Sequence, residues 1–234
     1  MRFRAALAAP LAAAAVWSFA APGPATELRY VAFLRPDPAR KRLMPEEGQG
    51  IMEAHMANIR SMADRGLLVA AGPMDDSPTT ISGVFVLSTP SIGEAMRIAL
   101  QDPTVTAGLN TVDVHPWQAP AGIGKAYFKW KRTDPGPGDE MAVHAFCILR
   151  HGRSWTPQPG SGSHEAFIEV LRRAGILAAA GPVPGDAEIS GIVIFKTASA
   201  QEARRSMEQD PDVASGRLAV EYHRWWTADR VLPW

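Results

Sequence analysis

The sequence has very little cysteine and no excess of charge of one sign. Cys147 is the only cysteine among 234 residues, which excludes an internal disulfide and a cysteine-rich zinc site. Lys and Arg together number 24, and Asp and Glu together also number 24, so the formal net charge is zero. A chain without a basic excess offers no electrostatic surface for a polyanion. We therefore expect no nucleic-acid partner.

The sequence also lacks the short motifs that carry familiar cofactor and metal chemistry. It contains no HxH or HExxH pattern for a metal, no GxSxG pattern for a serine hydrolase, and no GxGxxG or P-loop pattern for a nucleotide. These absences predict that the protein uses no cofactor and no metal. They favour a small-molecule ligand or substrate that is handled by ordinary side chains.

Long uncharged apolar runs are absent except near the N-terminus. Arg2 and Arg4 precede the apolar residues 5–16, a run that is too short to span a bilayer. The small residues Ser18 and Ala20 stand at the two positions that a signal peptidase reads. We therefore predict that residues 1–25 are an export signal, that the protein is periplasmic or secreted, and that no stable membrane span remains after cleavage. An uncleaved N-terminal anchor is the alternative.

The most informative feature present is a long internal repeat. The segment LLVAAGP at 67–73 recurs as ILAAAGP at 176–182, which is 109 residues later. The segment at 82–103 likewise recurs at 190–211, which is 108 residues later. This period is too long for a solenoid and indicates a duplicated domain. We predict one domain over 26–120 and another over 142–234, joined by a Pro/Gly-rich linker over 121–141 in which residues 125–132 look strand-like.

Each copy shows the element order β-α-β-β-α-β. Ser91 with Glu94, and Ser199 with Glu202, form capping boxes at the start of the second helix of each copy. The order predicts an α+β fold with two tandem ferredoxin-like (βαββαβ) domains. One such sheet leaves a face bare, so the halves either stack sheet on sheet or curl into a shared barrel. We expect a monomeric pseudo-dimer or a further homo-oligomer.

The ordered motifs of each half resemble a known family. An Arg follows strand one, a His lies in helix one, "AGP" ends strand two, "EA" opens helix two, and "DP" and then "PW" follow in the first half. This set, repeated over 30–117 and 144–225, resembles the YCII-related (YciI-like) domain of the dimeric α/β-barrel superfamily. The resemblance implies an intramolecular dimeric α/β barrel. It also implies relatives that eliminate chloride from a chlorinated hydroxyquinol, and more distant muconolactone isomerases and cofactor-free monooxygenases.

The resemblance implies that a His–Asp pair forms the active site. The corresponding residues are His55 with Asp102 in the first half and His164 with Asp210 in the second. Both histidines lie on the apolar side of their helices, where a general base that faces the sheet would stand. A hydrogen-bonded core histidine is the alternative, as is a turn role for an aspartate before proline. The usual "DPF" is altered in both halves, because Thr104 and Asp212 stand where Phe is common.

Further charged residues are candidates for substrate binding. Arg35 and Arg150 end the first strand of each copy and could hold a substrate anion, or could form surface ion pairs instead. Asp75 and Asp76 follow the first "GP" corner and Asp186 follows the second, as rival carboxylates or solvated loop residues. The repeated His115 and His223 lie on the polar face of the last strand, so we predict that they face solvent or lie at a sheet edge.

The residues and the resemblance together favour an exported, cofactor-independent enzyme of the lyase or isomerase type. We expect His55 to move a proton, Asp102 to orient His55, and Arg35 to hold the substrate anion. The counterparts in the second half are His164, Asp210 and Arg150. The alternative is a non-catalytic exported protein that binds a small ligand or has a structural role.

Overall fold

A computed structural model describes residues 25–76, 78–134, 136, 140–157 and 162–234 of the chain. The predicted export signal at 1–25 therefore lies, apart from Ala25, outside the described residues. Within these ranges no helix combines the length and apolar character that a membrane crossing requires.

The first half contains one four-stranded antiparallel sheet with its helices on one face. The strand order across the sheet is β2-β3-β1-β4. Tyr30, Leu34 and Phe85 of the sheet pack with Met62 and Ile98 of the helices in a closed core. The elements of this half are β1 (Thr26–Pro36), α1 (Pro45–Asp64), β2 (Leu68–Pro73), β3 (Gly83–Leu87), α2 (Ile92–Ala99), α3 (Pro103–Thr106) and β4 (Asn110–Pro120).

The second half repeats this architecture after a connecting helix. Its sheet has the order β6-β7-β5-β8, which is the same arrangement as in the first half. The predicted fold of two tandem ferredoxin-like domains is therefore confirmed. The remaining elements are α4 (Lys125–Thr133), β5 (Met141–His151), α5 (Ser163–Arg173), β6 (Leu177–Pro182), β7 (Ile189–Phe195), α6 (Ala200–Met207), α7 (Pro211–Ala214) and β8 (Leu218–Ala228).

The two sheets curl into one closed barrel. Strand β4 lies beside β6, and β8 lies beside β2, so the edges of one sheet meet the edges of the other. Phe33 and Trp117 from the first half share an interior core with Phe146 and Trp225 from the second. We call the two junctions, β4 with β6 and β8 with β2, the seams. Both indoles donate hydrogen bonds across them, Trp117 to the carbonyl of Gly181 at 3.2 Å and Trp225 to the carbonyl of Gly72 at 3.2 Å. Each half thus covers the other's apolar sheet face.

The repeated "AGP" motif is explained by close backbone contact at these seams. A Cβ atom added to Gly72 would lie 1.7 Å from the carbonyl oxygen of Trp226. The equivalent atom on Gly181 would lie 2.0 Å from the carbonyl oxygen of Gln118. No real Cβ tolerates such distances, so only glycine lets the strands approach this closely.

The helix starts follow local sequence chemistry. Ser91 Oγ accepts a hydrogen bond from the Glu94 amide, and Ser199 Oγ accepts one from the Glu202 amide, both at 3.2 Å. Helix α1 begins at Pro45, directly after its N-cap residue Met44. Proline suits the first helical position, and the two glutamates that follow favour the positive end of the helix.

The strand predicted over residues 125–132 is wrong, because this segment forms helix α4. Gly124 adopts a left-handed conformation with φ 80°, and the Phe128 amide donates to its carbonyl at 2.9 Å. The alternation of aromatic and basic residues suggested a strand. Tyr127 and Phe128 instead project together towards a cavity in the first half, a tertiary contact that outweighs local β preference.

Candidate active site

The first half brings His55 and Asp102 into direct contact. His55 lies on α1, and Asp102 is the N-cap residue of α3, with no exposed side-chain surface. The Nδ1 atom of His55 lies 2.8 and 2.9 Å from the two carboxylate oxygens of Asp102. Burial opposes ionisation of Asp102, but hydrogen bonds from His55 and Thr104 outweigh burial and lower the pKa of this carboxyl. Asp102 is therefore an ionised carboxylate that accepts from Nδ1–H.

Three further donors fix the orientation of Asp102. The backbone amide of Thr104 donates to Oδ1 at 3.0 Å, and the Thr104 hydroxyl donates to the same oxygen at 2.6 Å. The Asn58 side-chain amide donates to Oδ2 at 3.1 Å. The side-chain amide of Asn110 bridges Thr104 Oγ1, at 3.0 Å, and Ser82 Oγ, at 2.9 Å. The carboxylate is thus held by a polar network, which leaves the imidazole little rotational freedom.

His55 lines an apolar cavity of about 340 Å³. Its ring stacks on Phe85, with 5.9 Å between ring centroids. Since Nδ1 is bound to Asp102, Nε2 is the ring nitrogen left for a ligand. Among the described residues that line this cavity, His55 is the only titratable acid or base of the types Lys, Arg, His, Asp and Glu. Tyr127 and Phe128 of α4 and Met141 and Thr227 of the second half complete the wall.

The second half repeats the pair with a different environment. His164 Nδ1 lies 2.6 Å from Asp210 Oδ2, and the Asp212 amide caps Asp210 Oδ1 at 2.9 Å. Burial works against the charged form of His164. The hydrogen bond that His164 donates to Asp210 outweighs burial and raises the pKa of His164, with help from the negative charges of Asp210, Glu165 and Asp212.

The second half keeps the backbone-amide partner of the carboxylate but replaces the side chains that form the polar network of the first half. When the two copies are aligned at their offsets of 109 and 108 residues, Phe167 corresponds to Asn58, Asp212 to Thr104 and Leu218 to Asn110. Ser190 stands where Ser82 stands, and its Oγ is buried without a hydrogen-bond partner among the described residues. The wall of the second cavity, of about 480 Å³, includes five acidic or basic residues: Glu165, Glu169, Arg172, Asp212 and Arg217.

The predicted anion-binding arginines lie elsewhere, which corrects their placement. Arg35 is absent from the described wall of the first cavity, and its Nε donates to Asp113 Oδ1 at 2.8 Å. Arg150 is absent from that of the second cavity, and its Nε donates to Glu221 Oε2 at 2.6 Å. The reason is the strand register, which places each arginine beside a carboxylate of the neighbouring last strand. The ion-pair alternative describes both residues.

The predicted carboxylates of the "GP" corners also lie outside both described cavity walls, at the seams between the halves. Asp75 accepts from the Trp226 indole at 3.0 Å. Asp76 Oδ2 lies 2.5 Å from His223 Nδ1, and Oδ1 of the same residue accepts from the Arg224 amide at 2.9 Å. Neither residue is placed to contact a ligand in the first cavity.

The seams contain two histidines, His115 and His223, that were expected to face solvent or to lie at a sheet edge. Both lie on edge strands, β4 and β8, so the sheet-edge alternative is confirmed. The solvent-facing alternative is wrong, because the side chains of His115 and His223 are only 15% and 3% exposed. His223 bridges Asp76 and Glu221, and His115 bridges Asp186 and its strand neighbour at 113. Burial opposes their charged forms, but the flanking carboxylates raise the pKa of both histidines. The acidic residue two positions before each histidine was the available signal.

Comparison with known proteins bears on the family and the fold of the chain. The family model described as "YCII-related domain" matches residues 28–118. This part of the chain, which is most of the first half, is therefore similar to YCII-related domains. No curated protein matches the chain.

Solved structures share the fold over most of the chain. A haem-binding protein from Thermus thermophilus is 14% identical, with a TM-score of 0.51 over 88% of this chain and 95% of that chain. A mutant chlorite dismutase from Candidatus Nitrospira defluvii is 10% identical, with a TM-score of 0.52 over 87% and 92%. At these identities the likeness establishes the dimeric α/β-barrel fold and no activity.

Proposed function

We propose that the chain is an exported, cofactor-independent enzyme that moves a proton on a small apolar organic molecule in the first cavity. The observation that carries the proposal is the buried Asp102 carboxylate on Nδ1 of His55, with Nε2 left for a ligand in an apolar cavity. A fixed imidazole beside a carboxylate is the arrangement of a general base whose charged form is stabilised by its partner.

In this proposal Nε2 of His55 takes a proton from an acidic carbon of the substrate. Asp102 holds the tautomer that leaves Nε2 free and stabilises the imidazolium that forms. The electron pair left on carbon either moves through a conjugated system, after which His55 returns the proton at another carbon, or expels a leaving group such as chloride. The first outcome is an isomerisation and the second an elimination.

The walls of the cavity define the class of substrate. No Lys or Arg is among its described lining residues, so a substrate carboxylate would find no cation there. The negative charge that develops during reaction would be matched by the His55 imidazolium alone. The proposal therefore favours a neutral, ring-shaped or aromatic substrate, in contrast to the anion that Arg35 was expected to hold.

A haem, which the similarity to a haem-binding protein suggests, does not fit this cavity. A tetrapyrrole carries two carboxylate arms, which require cationic or polar partners when they are bound. The described wall offers its carboxylates no cation. The proposed chemistry therefore uses only side chains of the chain itself.

The experiment that tests the proposal is hydrogen exchange on carbon. Cyclic ketones, lactones and chlorinated phenols are incubated with the protein in D₂O, and NMR follows deuterium uptake, isomerisation and chloride release. We expect His55→Gln to lower the rate by at least about a hundredfold. The matched variant His164→Gln should retain the wild-type rate. Binding in the first cavity without exchange would instead support the non-catalytic alternative, and an unaffected His55→Gln would refute the assigned base.

A further inference from the structure

Three thioether side chains line the first cavity together with His55. Met52 and Met56 lie on α1, three residues before and one residue after the histidine, and Met141 approaches from the second half. All three line the same cavity as His55. Their exposed fractions are 51%, 43% and 47%, which is unusual for large apolar residues. The thioethers are therefore accessible and are not consumed in core packing.

The histidine among them has the carboxylate support that metal-binding histidines commonly have. Its Nδ1 is tied to Asp102, which fixes the tautomer and the ring orientation and leaves the lone pair of Nε2 available to a ligand. Positions 52 and 55 are i, i+3 neighbours and positions 52 and 56 are i, i+4 neighbours, so their Cβ atoms lie about 5–6 Å apart. The flexible methionine side chains can therefore converge with Nε2 on one point.

We propose that Met52, His55 and Met56 bind a soft monovalent metal ion, Cu(I), with Met141 as a fourth ligand from across the cavity. Thioether and imidazole donors select Cu(I), whereas Mg²⁺, Ca²⁺ and Mn²⁺ require oxygen ligands. The described cavity wall carries no carboxylate for such hard ions. Binding involves no change of oxidation state, since the ion enters and remains as Cu(I).

The site goes beyond the proposed enzyme function and does not depend on it. Both use the lone pair of Nε2, so Cu(I) bound there would block proton transfer. The metal site is tested by direct binding without any substrate. Failure of the proton-transfer proposal would leave it standing, and absence of copper binding would leave the enzyme proposal standing.

The second half supplies a natural control. By the repeat, Ser161 and Glu165 stand in the sequence where Met52 and Met56 stand in the first half. His164 keeps its buried carboxylate, but the sequence places no thioether at these two positions. The same imidazole–carboxylate pair thus occurs once with methionines and once without them.

The experiment is an anaerobic titration of the full chain with Cu(I) in competition with a chromophoric Cu(I) chelator. We expect one ion per chain, with both sulfur and nitrogen scatterers in its X-ray absorption spectrum. Met52→Leu/Met56→Leu should weaken binding at least about tenfold, as should Asp102→Asn through the lost support of His55. Met44→Leu, a substitution at an exposed methionine of the same region that does not line the cavity, and His164→Gln should bind like wild type.

Three results would overturn the site. The first is that the chelator removes all Cu(I) from the wild-type chain. The second is that the leucine variant keeps wild-type affinity while circular dichroism shows it folded. The third is a spectrum with no sulfur scatterer, which would mean that the methionines only fill the wall of an apolar cavity.

Discussion

The two equivalent serines Ser82 and Ser190 should respond in opposite directions to the same substitution. Ser82 Oγ lies 2.9 Å from the Asn110 amide, so Ser82→Ala removes one hydrogen bond of the network around Asp102. The expected cost is about 1 kcal/mol of unfolding free energy. Ser190 Oγ is buried without a partner among the described residues because Leu218 replaces the asparagine. Ser190→Ala removes an unsatisfied hydroxyl and should stabilise the chain by about 1 kcal/mol.

Urea unfolding of both variants, followed by tryptophan fluorescence and circular dichroism, measures this difference. Trp117 and Trp225 lie in the shared core, so fluorescence reports on opening of the barrel. The expected gap between the variants is about 2 kcal/mol, the sum of the two effects. Equal destabilisation by both substitutions would refute the reasoning, since it would mean that Ser190 has a partner after all.

Three further predictions concern the seams and the candidate site. Gly72→Ala should destabilise the chain by more than about 3 kcal/mol in thermal unfolding, because the strands must separate to relieve the 1.7 Å contact of the added Cβ atom. The control is Gly48→Ala in α1, where the added Cβ atom meets no atom within 4 Å. This substitution should be neutral or stabilising. Asp102→Ala should cost more than Asp210→Ala by about 1–2 kcal/mol in urea unfolding, since only Asp102 holds the Thr104 hydroxyl and the Asn58 amide. The pKa of His223 is raised, so the stabilisation from its imidazolium is complete below about pH 6.5 and is lost as the pH rises through the folded-state pKa. The unfolding free energy of the wild type should therefore fall between about pH 6 and pH 9. The fall should be smaller in His223→Gln. A flat wild-type profile, a tolerated Gly72→Ala or equal costs at the two aspartates would each contradict its prediction.

Low pH should also weaken the seam that contains His223. The hydrogen bond from His223, opposed by burial and aided by Arg150, lowers the pKa of Glu221 to about 2. The stabilisation from this carboxylate is present above its unfolded pKa of about 4.3 and is lost as the pH falls towards 2. The unfolding free energy should therefore be greatest between these two transitions.

The repeat made most of the fold predictable. Two copies of one pattern fixed the element order, and the capping serines located both second helices. The pairing of His55 with Asp102 was expected only from the family resemblance, with a core histidine and a turn aspartate as the alternatives. Their distance of 2.8 Å and the apolar cavity could be measured only in the structure.

The wrong expectations about charged side chains share one physical cause, which is pairing across strands and halves. Arg35 seemed available for an anion, but the register of β1 with β4 brings it to Asp113. His223 lies on the polar side of its strand, yet barrel closure buries it against Asp76 of the other half. Neither partner is near in sequence, so period-2 patterning could not reveal it.

The measurement that tests the central claim most directly is the rate of carbon-bound deuterium uptake in Asp102→Asn, determined with ligand affinity and a pH–rate profile. The account predicts unchanged affinity, a rate at least about a hundredfold lower, and an altered pH profile, because the amide no longer holds the Nε2-accepting tautomer of His55. A folded Asp102→Asn protein that exchanges at the wild-type rate would contradict the claim that the buried carboxylate and this imidazole act together.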